Sequence, residues 1–168
     1  MNYLTVTLLS AHHKKDFECG NVILDDYLQK QAKQDMKRKL AICFVLADEN
    51  NKIKGYYTLS SAGIPNDLLP DEIKKKLPPS YTNLPVTLLG RLAISNAHKG
   101  QGLGELLLLD ALKRSYDNAH ASIGSMAVIV DPIDLAASKF YQKYGFISLH
   151  DSDRMFLPMR TIAGLFEG

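Results

Sequence analysis

Nowhere in this 168-residue chain does an apolar run approach the roughly 20 residues that a helix needs to cross a bilayer. The opening stretch, Met1 to Ala11, is short and strand-like and has no leader cleavage pattern. Cysteine is scarce. Cys19 and Cys43 are the only two, and they lack the spacing of a metal site, so no metal is expected. Cys43 lies in Ala41-Ile42-Cys43-Phe44-Val45-Leu46 and reads as buried core, and a reducing, cytoplasmic setting is the simplest one. Charge of one sign is not in excess: 20 Lys and Arg against 18 Asp and Glu leave +2, which by itself singles out no partner. Internal repeats and low-complexity tracts are absent. Few aromatics are interleaved with the basic residues, so stacking on bases is not indicated. What remains is a single domain, 1–168, with enough chain for a real core.

The richest stretch is 86–112. A strand-like run, Val86 to Ile94, leads into Lys99-Gly100-Gln101-Gly102-Leu103-Gly104, and a leucine-rich helix pattern follows from Glu105 to Leu112. Strand, glycine loop and helix in that order make a helix N-terminus into an anion site. The first amides of a helix lack intrahelical partners, and the dipole adds about half a positive charge. Glycines let a bulky pyrophosphate come close. Two nucleotide motifs are excluded. Glu105 and Leu106 follow Gly104, so there is no Walker Lys-Ser/Thr, and the spacing Gly100, Gly102, Gly104 does not fit Gly-x-Gly-x-x-Gly.

A second block runs from Met126 to Phe146. The apolar run 126–130 predicts a buried strand, and Asp134 a helix N-cap for a helix from about Leu135 to Tyr144. Gly145 stands where a helix end favours a left-handed residue. Spacing alone leaves Tyr141 as either an amphipathic core residue or a proton donor.

Together the two blocks resemble the GNAT superfamily of acyl-CoA N-acetyltransferases. Lys99 to Gly104 is similar to its Arg/Gln-x-x-Gly-x-Gly/Ala loop, with Lys99 departing from the usual first residue, and Phe140-Tyr141-x-x-x-Gly145-Phe146 is similar to its second signature. The resemblance implies a mixed, mostly antiparallel central α/β sheet with helices on both faces, splayed at an acetyl-CoA site. It implies that Lys99, Gly100, Gln101, Gly102, Leu103 and Gly104 hold the coenzyme pyrophosphate and that Leu92, Ala93 and Ile94 pair with the pantetheine arm. Tyr141 would protonate the departing thiolate. Ser138 is open between a coenzyme contact and a helix-surface residue. No Asp or Glu occurs between Val86 and Ile94 to serve as general base, so base-free or water-relayed proton removal is expected.

Residues Lys30, Lys33, Lys37, Arg38 and Lys39 form a basic run opposed only by Asp35, and Lys74-Lys75-Lys76 form a second. Such runs are solvated faces or surfaces for a phosphate backbone. His12 and His13 read as exposed loop residues and His98 as a turn residue. Strands are expected at 3–8, 41–47, 54–61, 86–94, 125–131, 146–149 and 154–159. Helices are expected from Asn21, with Ile23, Leu24, Tyr27 and Leu28 on one face, and at 102–118 and 134–144. A proline-rich insertion at 65–85 holds at most a short helix.

Phe17-Glu18-Cys19-Gly20, Leu24-Asp25-Asp26-Tyr27-Leu28, Gly55 to Ser60 and Leu89 to Ile94 further resemble GNAT toxins of bacterial toxin–antitoxin pairs. That narrower resemblance implies a homodimer that acetylates the α-amine of aminoacyl-tRNA and is neutralised by a ribbon-helix-helix antitoxin, with Lys37, Arg38 and Lys39 on the substrate. A small-molecule or protein amine is the alternative acceptor. A non-catalytic acyl-CoA-binding module is the remote one.

Overall fold

A computed structural model describes residues 2–150 and 152–167. Seven strands form the sheet: β1 (Val6–Thr7), β2 (Ile42–Ala47), β3 (Ile53–Pro65), β4 (Asn83–Ile94), β5 (Ala127–Val130), β6 (Ile147–Ser148) and β7 (Met155–Pro158). Their hydrogen-bonding order is β1-β2-β3-β4-β5-β7-β6. The pairs β1–β2, β2–β3, β5–β7 and β6–β7 are antiparallel. With them go helices α1 (Val22–Asp26), α2 (Ala32–Lys37), α3 (Asp71–Lys74), α4 (Leu103–Ala121), α5 (Leu135–Lys143) and α6 (Met159–Phe166). The mixed α/β class read from the sequence therefore holds. No helix among the described residues is long and apolar enough to cross a membrane. The chain divides into two compact units, residues 1–60 with 89–114 and residues 61–88 with 115–168.

In the first unit, Asn21 caps α1 as expected, its Oδ1 accepting from the amides of Ile23 (2.9 Å) and Leu24 (3.2 Å). A π-helical turn, Tyr27–Gln31, joins α1 to α2. The buried stripe runs Leu24, Tyr27, Leu28, Ala32. Ile23, expected on that face, is 78% exposed. It stands one residue, about 100° of helix rotation, off the stripe. The β2–β3 hairpin turns on Asp48, whose Oδ1 accepts from the amides of Asn50 (2.8 Å) and Lys52 (2.9 Å), with Asn51 in the left-handed region at φ 63°.

The first strand is shorter than the expected 3–8, because the groups ahead of it bond elsewhere. Asp110 of α4 is buried; its Oδ1 accepts from the Leu4 amide (2.7 Å), and its Oδ2 accepts from the hydroxyls of Thr5 (2.5 Å) and Tyr57 (2.8 Å). Arg114, one turn on, donates from Nη2 to the Thr5 carbonyl (2.6 Å) and lies over the rings of Tyr3 and Phe44. A core of Leu8, Phe17, Leu24, Tyr27, Cys43, Val45, Tyr56 and Ala93 fills this unit.

In the second unit, β5 is buried along its whole length, which suits an apolar run without alternation. It lies in a core with Ile64, Leu69, Leu84, Val86 and Phe156. The insertion holds a 3-10 turn (Asn66–Leu68) and the four-residue α3, as expected. Asp134 caps α5 by accepting from the Ala137 amide (2.8 Å), and Gly145 follows the helix at φ 96°. The strand expected to reach 159 ends at Pro158, and α6 follows it, unforeseen from the sequence.

Candidate acyl-transfer site

The segment after β4 is built from the backbone outward. The Ser95 amide bonds the Lys54 carbonyl (2.8 Å) and the Asn96 amide bonds the Glu18 carbonyl (2.7 Å), which clasps the 16–20 loop to the approach of the glycine loop. His98 closes a 3-10 turn, its Nδ1 against the Ser95 hydroxyl (2.7 Å), so it is the turn residue expected. Gly100 and Gly102 adopt φ 78° and 76°, where a side chain is strained, and a Cβ on either would meet nothing within 4 Å. Gly104 lies in the first turn of α4. The amides of Gly100, Gln101, Gly102, Leu103, Gly104 and Glu105 have no hydrogen-bond partner among the described residues, and the first bond back into the loop is Leu106 N–H to the Gly102 carbonyl (3.3 Å). Six consecutive free donors at the start of a 19-residue helix form a receptor for a polyanion.

Lys99 faces a different partner from the one expected. Its ammonium donates to the Cys19 carbonyl (2.5 Å) and would be 3.4 Å from a Cβ on Gly20, so this cation is bonded to the entry loop. Leu92 and Ile94 are half-buried and Ala93 is buried in the core.

In the second unit, Tyr141 is 8% exposed, and its ring meets Phe140 (5.3 Å, 72°) and Phe146 (5.3 Å, 62°) edge to face. Burial pushes its phenol up to about 12, so it carries its proton throughout the neutral range. No hydrogen bond from its hydroxyl to a described residue is present. Ser138 is half-buried one turn earlier, its amide bonded to the Asp134 carbonyl (3.1 Å). Phe140 and Tyr144 pack against each other at 5.2 Å, a structural pairing.

The basic run is reorganised by the fold. Asp35, expected to oppose it, is turned inward and accepts from the Tyr27 hydroxyl (2.9 Å). Lys37, Arg38 and Lys39 are exposed, and Lys39 takes φ 63° where α2 ends. Of these three only Lys37 lines a groove of about 380 Å³, together with Lys14, Lys33 and a floor of Leu8, Leu9, Ser10 and Met36. Lys14, passed over as loop, and Arg91 of β4, whose Cζ stands 3.5 Å over the Tyr27 ring centroid, are the cations the sequence did not single out. A lone arginine in an apolar strand carries no spacing signal. His12, read as exposed, is 9% exposed, with its Nδ1 accepting from the Leu9 amide (2.9 Å). Cys43 is fully buried, as expected. Burial pushes its thiol up to about 12 against the opposing pull of Arg91 and Lys14.

Residues 81–160 match the family described as "Acetyltransferase (GNAT) domain". The chain is 33% identical over 150 residues to a protein of Mycobacterium tuberculosis named "tRNA-acetylating toxin", covering 89% of this chain and 87% of that one. A solved structure of AtaT complexed with acetyl-methionyl-tRNAfMet superposes with TM-score 0.89 at 27% identity, covering 98% of this chain and 99% of the other. Another, a tyrosine-to-phenylalanine mutant of the AtaT toxin bound to the C-terminus of the antitoxin AtaR and acetyl-CoA, superposes with TM-score 0.80 at 25% identity, with 98% of each chain covered.

Proposed function

Because the chain belongs to the GNAT acetyltransferase family, we propose that it transfers the acetyl group of acetyl-CoA to the α-amine of an aminoacyl-tRNA, as the toxin of a toxin–antitoxin pair. The observation that carries this is the likeness, over nearly nine-tenths of both chains, to a protein named for tRNA acetylation. The same coverage supports reading the whole chain as one acetyltransferase domain.

The chemistry follows from the residues. The free amides from Gly100 to Glu105 hold the coenzyme pyrophosphate, and Leu92 to Ile94 hold the pantetheine arm. The amine attacks the thioester carbonyl, the C–S bond breaks, the Tyr141 phenol passes its proton to the departing thiolate, and the proton shed by the acetylated nitrogen passes through water and restores the phenol. A phenol held at about 12 rests protonated at neutral pH and so has the proton to give. An α-amine titrates near 7.7–8.0, far below a lysine side chain, so roughly a tenth of it is already the nucleophilic free base at pH 7 and no strong enzymic base is required. Lys37, with Lys14 and Lys33 beside it, takes the phosphates of the acceptor. Arg38 and Lys39 extend the same charge. Lys99 fixes the loop through the Cys19 carbonyl and keeps two further ammonium donors for the coenzyme phosphates. Ser138 is read as a coenzyme contact.

A cytoplasmic homodimer partnered by a ribbon-helix-helix antitoxin completes the reading, supported by the family resemblance and by the neighbour bound to an antitoxin segment. Transfer to a small-molecule or protein amine is the second reading. It rests on the modest net charge of +2.

The test is transfer of labelled acetyl from acetyl-CoA to charged tRNA, beside free amino-acid amides and a lysine peptide. Transfer to the charged tRNA alone is expected, with growth arrest on expression of the wild-type protein. Acetylation confined to the small amines or the peptide would leave the second reading standing.

A further inference from the structure

Arg91 has no part in the chemistry above, yet its setting is that of a ligand-reading group. It lies on β4, directly ahead of the pantetheine segment Leu92–Ile94, and its guanidinium is laid 3.5 Å over the Tyr27 ring centroid. That platform is braced on two sides. Tyr27 is 4% exposed, donates its hydroxyl to Asp35 (2.9 Å) and stacks at 6.4 Å and 16° on Tyr56, whose own hydroxyl donates to the Leu24 carbonyl (2.6 Å). Asp35 is thus engaged by a phenol.

Arg91 itself is half-buried, and it forms no hydrogen bond or ion pair with a described residue. A guanidinium carries five N–H donors, and those of Arg91 are open to an incoming acceptor. Stacking fixes the plane of the fork and leaves its edge free, which is the preorganisation that bidentate recognition of phosphate uses. Further positive charge lies nearby, since Lys14, one of three lysines lining the groove with Leu8, Leu9, Ser10 and Met36, bears with Arg91 on the Cys43 thiol.

We propose that Arg91 reads a phosphodiester of the acceptor's single-stranded 3′ end through a bidentate pair of N–H donors, with Tyr27 as its platform. This rests on the reading that the acceptor is a charged tRNA, whose amine hangs from the 3′-terminal ribose. The cosubstrate also carries phosphates, but six loop amides already serve those.

The test uses the intact protein and an uncharged RNA minihelix with a single-stranded 3′ end, by fluorescence anisotropy at several salt concentrations. Acetyl-CoA affinity is measured in parallel by calorimetry and folding by thermal melting. Arg91→Gln is expected to weaken RNA binding roughly 10- to 100-fold and to reduce the slope of log affinity on log salt by about 0.7, one phosphate contact to a single strand. Arg91→Lys is expected to keep most of the slope and lose affinity, since it retains charge without the fork. Acetyl-CoA affinity should not move in either. Unchanged RNA affinity and slope in both variants would overturn the assignment, as would a loss confined to acetyl-CoA. Were Arg91→Gln to melt low, the well-folded Arg91→Lys decides by the same affinity criterion. Wild-type protein that binds the minihelix with this slope but acetylates no charged tRNA sinks the transferase reading and keeps the Arg91 contact. No RNA binding at all removes both.

Discussion

Replacing Gly102 separates what the glycine loop does for the fold from what it does for a ligand. A Cβ at this position meets no atom within 4 Å, so alanine brings no clash. It brings backbone strain, because φ is 76°. For a non-glycine residue that region costs about 1–2 kcal/mol, which for a chain of this size lowers the melting temperature by about 2–8 °C. The loop can relieve the strain only by rotating, and rotation misaims the free amides from Gly100 to Glu105. A hydrogen bond to a charged group is worth about 1.5–3 kcal/mol, so losing one lowers acetyl-CoA affinity roughly 10- to 100-fold. Two controls bracket the effect. At Gly124 a Cβ also meets nothing and φ is not positive, so alanine there should change neither quantity. At Gly55 a Cβ would stand 2.8 Å from Leu107 Cδ1 and 2.9 Å from the Ala93 carbonyl oxygen, so alanine there should destabilise by about 1–3 kcal/mol through overpacking. Calorimetric titration with acetyl-CoA and thermal melts of the three variants make the comparison. Gly102→Ala binding acetyl-CoA like the wild type, while melting lower as calculated, would refute the assignment of the loop as the phosphate site.

Three further outcomes are expected. Tyr141→Phe keeps the ring packed on Phe146 and removes the acid, so turnover should fall about 10²-fold with acetyl-CoA affinity unchanged and growth arrest abolished; wild-type turnover at saturation would return Tyr141 to a packing role. Neutralising Lys14, Lys33 and Lys37 together should weaken charged-tRNA binding and flatten its salt dependence without touching acetyl-CoA affinity, and an unchanged salt slope counts against the groove. Cys43 is raised from 9.0 to about 12 in the folded protein, so the stability it contributes is complete below pH 9 and is lost as pH climbs from 9 towards 12. Melting temperature should therefore decline less steeply over that range in Cys43→Ala than in the wild type, and equal declines would show that the thiol does not titrate late.

Features fixed by a short stretch of chain were legible in the sequence. Asn21, Asp134 and Gly145 act within one turn of their own position, and each caps or ends its helix as expected. The glycine loop was legible for the same reason, since its conformation belongs to the glycines themselves. Features that depend on residues distant in sequence were not. The first strand shrinks because Asp110 takes the Leu4 amide, a partner 106 positions away. Asp35 stops opposing the lysines because Tyr27 draws it inward across the π turn, which no periodicity announces. The bond from the Lys99 ammonium to the Cys19 carbonyl, 80 positions back, had no local signal either. Helix α6 was hidden because Met155 to Met159 reads as one apolar run, and only Pro158 marks the break.

The bond between Thr5 and Asp110 spans 105 positions, and it sets a timetable for synthesis. The first unit takes its segments from 1–60 and 89–114, with 61–88 belonging to the second unit and emerging between them. The residues made first therefore wait, with Thr5 and Tyr57 lacking the carboxylate that both of them bond, until α4 has left the ribosome, and the second unit is finished only when α6 follows. Contacts this far apart in sequence are formed slowly. A nascent chain stalled before residue 110 lacks most of α4 and the carboxylate that holds the N-terminal segment, so the first unit stays incomplete.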